Sequence, residues 1–213
     1  MDISIFAVLA VVALIILAAG AKKKKKPKPV AGQDWRIGPI IRGANYSPGM
    51  PSRPTMQGAG WYFDFPTIPT SHVHYLQWFN PPSLVGKREI VIRFTVTGGG
   101  FVPKEFPDGR PATVSLMIQR KGDDWSAIGK YQSYRWFSSG ALNLAAGEFE
   151  LVAPLDANAW GDVYNAKNAQ TFAESLREVD NIAVLFGSNG GRGHGVYASE
   201  PSRFTLTSIE VRP

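Results

Sequence analysis

Between Arg88 and Thr97 the chain alternates, with Ile90, Ile92, Phe94 and Val96 on one parity and Val91, Arg93, Thr95 and Thr97 on the other. Successive side chains of a strand point to opposite faces, so this run has one buried face and one that is largely wet. Thr113 to Arg120 repeats the pattern with Val114, Leu116 and Ile118 inward, and Glu148 to Ala153 repeats it with Phe149 and Leu151. Further strands are expected at Trp61 to Phe65, His72 to Phe79, Tyr131 to Phe137, Ile182 to Phe186 and Arg203 to Val211. Gly, Pro, Asn and Asp clusters separate these short runs, as in an antiparallel sandwich. In the last run Phe204 and Leu206 share one parity and Ile209 and Val211 the other, which a bulge near Thr207 reconciles. One helix interrupts the series between about Ala166 and Asp180. Ala169, Phe172, Ala173, Leu176 and Val179 recur there at helical spacing, while Lys167, Gln170, Glu174 and Arg177 form the wet face.

About eight strands, one late amphipathic helix and a terminal Phe204-Thr-Leu-Thr-Ser-Ile-Glu-Val211 strand together resemble the galactose-binding-like jelly rolls of carbohydrate-binding modules. The opening Trp61-Tyr62-Phe63-Asp64-Phe65 is similar as well. The resemblance is one of layout, covers Gly60 to Pro213, and matches no specific family motif. It implies a mostly β, jelly-roll-like antiparallel sandwich that is non-catalytic and recognises sugar or a protein surface at its loops or on a concave face.

Ahead of this domain, Ile3 to Ala21 is a nineteen-residue stretch without charge, made almost wholly of Ala, Val, Leu and Ile. As a helix it spans about 29 Å, against a hydrocarbon core of about 30 Å. Ala19-Gly20-Ala21 fits a signal-peptidase site, but only Asp2 precedes the apolar run, and that run exceeds the usual signal core of about 7 to 15 residues. Residues 1–21 are therefore expected to be a retained, single transmembrane anchor. Lys22, Lys23, Lys24, Lys25, Lys26 and Lys28 resist translocation, which places the domain on the cytoplasmic side, and they suit anionic headgroups. From residue 22 to 59 the chain is basic and then rich in Pro and Gly, and it reads as a linker. Its apolar patch, Trp35 to Ile41, is suited to dock on the chain's own domain or to meet a partner.

The 213-residue chain carries 23 basic and 17 acidic residues, yet the charge is concentrated in the tail. Without the six tail lysines and Asp2 the balance is 17 against 16, a net of +1, too small for a nucleic-acid-binding face. The absence of cysteine excludes disulfides, thiol catalysis and Cys-type zinc sites.

Catalytic and cofactor motifs are lacking. No Gly-x-Ser-x-Gly elbow occurs, and the spacing of Asp123, Asp124, Glu148, Glu150, Asp156 and Asp162 selects no catalytic pair. His72 and His74 share a strand face, but no Glu follows within the next several residues, so they read as ordinary strand residues and no metal is expected. Gly187 to Gly195 follows a strand and leads into Val196 and Tyr197 rather than into a helix, so it reads as an inter-strand loop and not a phosphate cradle. Arg192 and His194 sit on its tip and are candidates for ligand contact, since loops positioned by a rigid sandwich are where binding groups usually lie.

Aromatic residues supply the remaining candidates. Trp125, Tyr131, Tyr134 and Trp136 are interleaved with Asp123, Asp124, Lys130, Gln132 and Arg135. Rings stack on sugar faces while such polar groups bind hydroxyls. Tyr134 and Trp136 share a parity and so compete for a place in the core, whereas Trp125 lies in a turn. The expected function is a membrane-tethered binding module for carbohydrate, with membrane lipid as a second partner. The alternatives are an envelope or virion assembly protein that works through protein contacts, and a jelly-roll hydrolase.

Overall fold

The computed structural model describes residues 34–213. The expected transmembrane segment and Lys22 to Lys28 lie outside the described residues. Among the described residues, no helix is long and apolar enough to cross a membrane.

Two antiparallel sheets face each other across one aromatic-rich core, with strands numbered in chain order. The larger sheet runs β1 (Asp34–Gly38), β6 (Tyr75–Phe79), β13 (Val179–Ser188), β9 (Ala112–Arg120), β10 (Arg135–Asn143) and β12 (Trp160–Gly161). The smaller runs β11 (Gly147–Pro154), β7 (Glu89–Thr97), β15 (Arg203–Arg212), β5 (Gly60–Asp64) and β4 (Thr55–Gln57). Two small ribbons, β2 (Ile40–Ile41) with β3 (Ala44–Asn45) and β8 (Phe101–Pro103) with β14 (Val196–Ala198), complete the strands. The chain crosses between sheets from β5 to β6 to β7 and from β10 to β11 to β12, as in the expected jelly-roll-like sandwich.

The core forms where the two inner parities meet. Phe63 of β5 and Phe204 of β15 pack edge-on against Phe186 of β13, with centroids 5.3 and 5.2 Å away. The expected bulge is present: the pairing of β15 with β7 slips between Leu206 and Ser208, which turns both Leu206 and Ile209 inward. Both faces of β9 are buried along nearly its whole length, because a second, smaller apolar cluster covers its outer side.

The helix, α1 (Ala169–Arg177), is shorter than the spacing predicted. The Asn168 side chain accepts the Gln170 and Thr171 amides at its start, and beyond Glu178 the chain joins β13 at Val179. Val179 is therefore a strand residue. Phe172 anchors the helix, with Trp136 at 5.0 Å and Trp160 at 5.9 Å.

The folded unit begins earlier than the sequence predicted. Residues 34 to 59, expected as linker, belong to the sandwich: β1 pairs with β6 along all five residues, and Trp35 is 2% exposed. Its ring lies 4.9 Å from that of Trp61 and 6.0 Å from that of Trp78. Only two apolar residues, Trp35 and Ile37, face inward from this edge strand. That is too short an alternation to stand out in a segment dominated by Pro and Gly.

Candidate functional site

The outer faces of the two sheets differ in how far their charges are already satisfied. On the smaller sheet, Arg93 pairs with Glu150 at 2.6 Å and Glu210 at 2.7 Å, and Arg212 pairs with Glu210 and Glu89. Arg203 clamps Asp64 and lies over the Tyr62 ring at 3.8 Å. This is a solvated, self-paired surface.

The larger sheet presents amides and rings instead. Register places Phe79, Asn181, Gln119 and Arg135 in one row and Arg36, Gln77, Ala183, Met117 and Phe137 in the next. Asn181 Nδ2 donates to Gln119 Oε1 at 2.7 Å, and Gln77 Nε2 donates to Asn181 Oδ1 at 3.3 Å. Gln119 Nε2 in turn donates to Asp123 Oδ2 at 2.7 Å. Each amide is thereby fixed in orientation, which is what a polar site requires of its floor.

The connection from β9 to β10 folds back over this face. The Asp123 carboxylate accepts the Trp125 amide at 3.1 Å, the Asp124 carboxylate accepts the Ser126 amide at 2.8 Å, and Trp125 and Ala127 take positive φ. These Asx turns bend the loop and lay Trp125 against the cluster of Tyr75, Met117, Ala183 and Leu185, with Phe137 beside them. The Arg135 guanidinium lies 4.9 Å from the Trp125 ring centroid. Its Nε is 3.0 Å from Asp123 Oδ2, but neither Nε nor Nη2 makes a well-directed hydrogen bond. Burial pushes the Tyr75 phenol up to about 12, with Arg135 opposing and Asp123 adding to the shift, so it stays neutral.

Two clefts result. The first, about 330 Å³, has Gln77 and Gln119 in its lining with Phe79, Ile40 and Trp125, and carries Arg36, Arg120, Asp123 and Asp180. Arg36 is held by Asp34 at 2.7 Å and Arg120 by Glu178 at 2.9 Å and Glu174 at 3.1 Å, while the buried Asp123 carboxylate is engaged by Gln119 and the Trp125 amide and holds floor and loop in place. The second, about 610 Å³, is lined by Phe137, by the turn from Asp162 to Asn165, and by Asn189, Gly190, Arg192 and His194. Both suit a polyhydroxylated ligand with apolar ring faces.

The loop from Gly187 to Gly195 needs its glycines. A Cβ on Gly193, at φ +72°, would stand 2.3 Å from the Tyr75 ring. The Gly193 carbonyl accepts from His74 Nδ1 at 2.7 Å, which puts the proton on Nδ1 and leaves Nε2 buried without a partner. Burial, followed by the charges of His72 and His194, lowers the His74 pKa to about 4, against the Gly193 hydrogen bond, which raises it. Among the described residues, no three His, Cys, Asp or Glu side chains gather to hold a metal ion.

The predicted site residues therefore divide. Trp125 lines the first cleft, and Arg192 and His194 line the second. Tyr131 and Tyr134 belong to a 3-10 turn, Gly129–Ser133 with its cap, where the expected strand has not yet begun; their rings meet edge-on at 5.1 Å and line neither cleft. Trp136 is 0% exposed, its indole N–H donating to Ser133 O at 2.8 Å and to Ser175 Oγ at 3.0 Å. It is a core residue, as its parity allowed, and cannot touch a ligand. Gln77, Gln119, Phe79, Arg36 and Asp180 were not singled out in the sequence, because only the register of strands far apart in the chain brings them together.

No family model matches the chain, and no curated protein matches it. Among solved structures, the family 11 carbohydrate-binding module of a cellulosomal cellulase from Clostridium thermocellum is 10% identical, covering 72% of this chain and 74% of that one with a TM-score of 0.40. The xylan-binding module CBM15 is 13% identical, covering 82% and 91%, also with a TM-score of 0.40.

Proposed function

We propose that the chain is a non-catalytic carbohydrate-binding module whose glycan lies in the cleft beside Trp125, on the outer face of the larger sheet. The observation that carries this is the placement of Trp125 by the Asx turns of Asp123 and Asp124 next to a floor of orientationally fixed amides, Gln77 and Gln119. A sugar ring stacked on the indole would present its hydroxyls to the polar lining of the cleft, Gln77 and Asp180 among it, with Asp123 holding that lining in place from behind. The module is tethered to a bilayer by residues 1–21, with Lys22 to Lys26 and Lys28 against anionic headgroups on the cytoplasmic side. Glycans on that side are then the ones open to it.

Glycan-array binding by the full-length chain in detergent, compared with Trp125→Ala, tests the site. Loss of at least about tenfold in affinity is expected on removing the ring. Array-wide silence of the unaltered chain would reject the reading. An engineered Gly32→Cys, probed with an impermeant thiol reagent in intact cells, tests the orientation, with no labelling expected.

A further inference from the structure

We infer that the second cleft binds the carboxylate of an acidic sugar through Arg192, so that the module recognises uronate-bearing glycans. This rests on the carbohydrate-binding reading above and narrows its ligand class.

Arg192 is half-buried in the 610 Å³ cleft and makes no ion pair with any of the described residues. Its one hydrogen bond runs from Nη2 to the Ser139 carbonyl at a long 3.4 Å. Several arginines on the outer faces are paired by contrast: Arg36 with Asp34, Arg120 with Glu174 and Glu178, Arg135 with Asp123, and Arg93, Arg203 and Arg212 with their own carboxylates. The carboxylates close to Arg192 are already engaged. Asp162 Oδ1 accepts the Tyr164 and Ala166 amides, each at 2.9 Å, and Glu105 Oε2 is 2.7 Å from His194 Nδ1. A cation partly withdrawn from water without a counter-charge is costly to hold, and an incoming anion offsets that cost. Burial alone lowers the Arg192 pKa, as expected of a guanidinium with no described carboxylate at ion-pair distance.

The surroundings favour a sugar acid over a bare anion. Tyr164 and Phe137 supply ring surface, and Asn165 and Asn189 supply amides for hydroxyls. The guanidinium fork matches a planar carboxylate through two parallel hydrogen bonds. Phe137 also packs on the cluster that supports Trp125, so both clefts border one apolar ridge on one face.

The test measures binding of the full-length chain to alginate, polygalacturonate and glucuronoxylan, each beside the same polymer with its carboxylates chemically reduced. For at least one pair, the acidic form is expected to bind about tenfold more tightly, with the ratio falling toward one in Arg192→Gln and as salt is raised. Arg192→Lys, which keeps the charge but loses the fork, is expected to give an intermediate ratio. Equal binding of acidic and reduced polymers, or an unchanged ratio in Arg192→Gln, overturns the inference. If neutral polymers bind in a Trp125-dependent way without any acidic preference, only the carboxylate site falls. If no polymer binds at all, both readings fall together.

Discussion

Acidification from pH 7.5 to 5 should destabilise the fold chiefly through His74. With Nδ1–H donated to Gly193 O, the added proton must go to Nε2, a buried atom with no acceptor in reach. The folded-state pKa is lowered from 6.5 to about 4, so between those values the unfolded chain binds a proton that the folded chain refuses. Stability therefore rises with pH through this window, is complete above about pH 6.5, and is lost as pH falls toward 4. At about 1.36 kcal/mol per unit the whole window amounts to about 3 kcal/mol, of which about 2 kcal/mol is gone by pH 5. For a domain of this size that corresponds to a melting temperature lower by about 4 to 8 °C. His72, whose pKa burial also lowers, adds in the same direction. Asp34 and Glu210 have lowered pKa values and lose stability only at more acidic pH, so stopping at pH 5 isolates the histidines. Thermal melts at pH 7.5 and 5.0 on the unaltered chain and on His74→Gln measure the effect. A melting temperature that does not fall on acidification, or falls equally in His74→Gln, would refute the reasoning.

Trp35→Ala should cost about 3 to 5 kcal/mol in denaturant unfolding, since it empties an indole-sized space between Trp61 and Trp78; a residue in a free linker would cost nothing. Gly193→Ala should destabilise by about 1 to 3 kcal/mol, because the new Cβ meets the Tyr75 ring at a backbone angle that L residues avoid, and an unchanged melt would contradict the packing of that loop. Trp136→Phe should lose about 1 to 2 kcal/mol through the space the smaller ring leaves and the lost indole N–H donation to Ser133 O and Ser175 Oγ, while leaving glycan affinity alone; weakened glycan binding at unchanged stability would return Trp136 to the site.

Alternation of period two makes β7, β9, β11 and β15 legible, and the slipped parity of Phe204 and Ile209 discloses the bulge at Thr207. What alternation could not disclose was pairing. Gln77, Gln119 and Asn181 are separated by 42 to 104 positions in the chain, and each alone is an ordinary polar residue on the outward parity of its strand. They come together only because β13 pairs with both β6 and β9 in one register. Trp125 was recognisable because two adjacent aspartates announce a turn. The parity shared by Tyr134 and Trp136 leaves core and ligand contact both open for Trp136, because an indole N–H satisfied inside the protein leaves no trace in sequence. The same limit hid β1: two inward residues among prolines and glycines are no pattern until a neighbouring strand supplies their partners.

If Trp125 and the amide floor beside it hold a sugar, loss of either weakens binding. Isothermal titration of the full-length chain with an oligosaccharide selected from the array, repeated on Trp125→Ala and on Gln119→Ala, tests it most directly. The account predicts a loss of at least about tenfold for the first substitution and a smaller loss for the second, with both variants still folded. Undiminished affinity in a folded Trp125→Ala chain would contradict it.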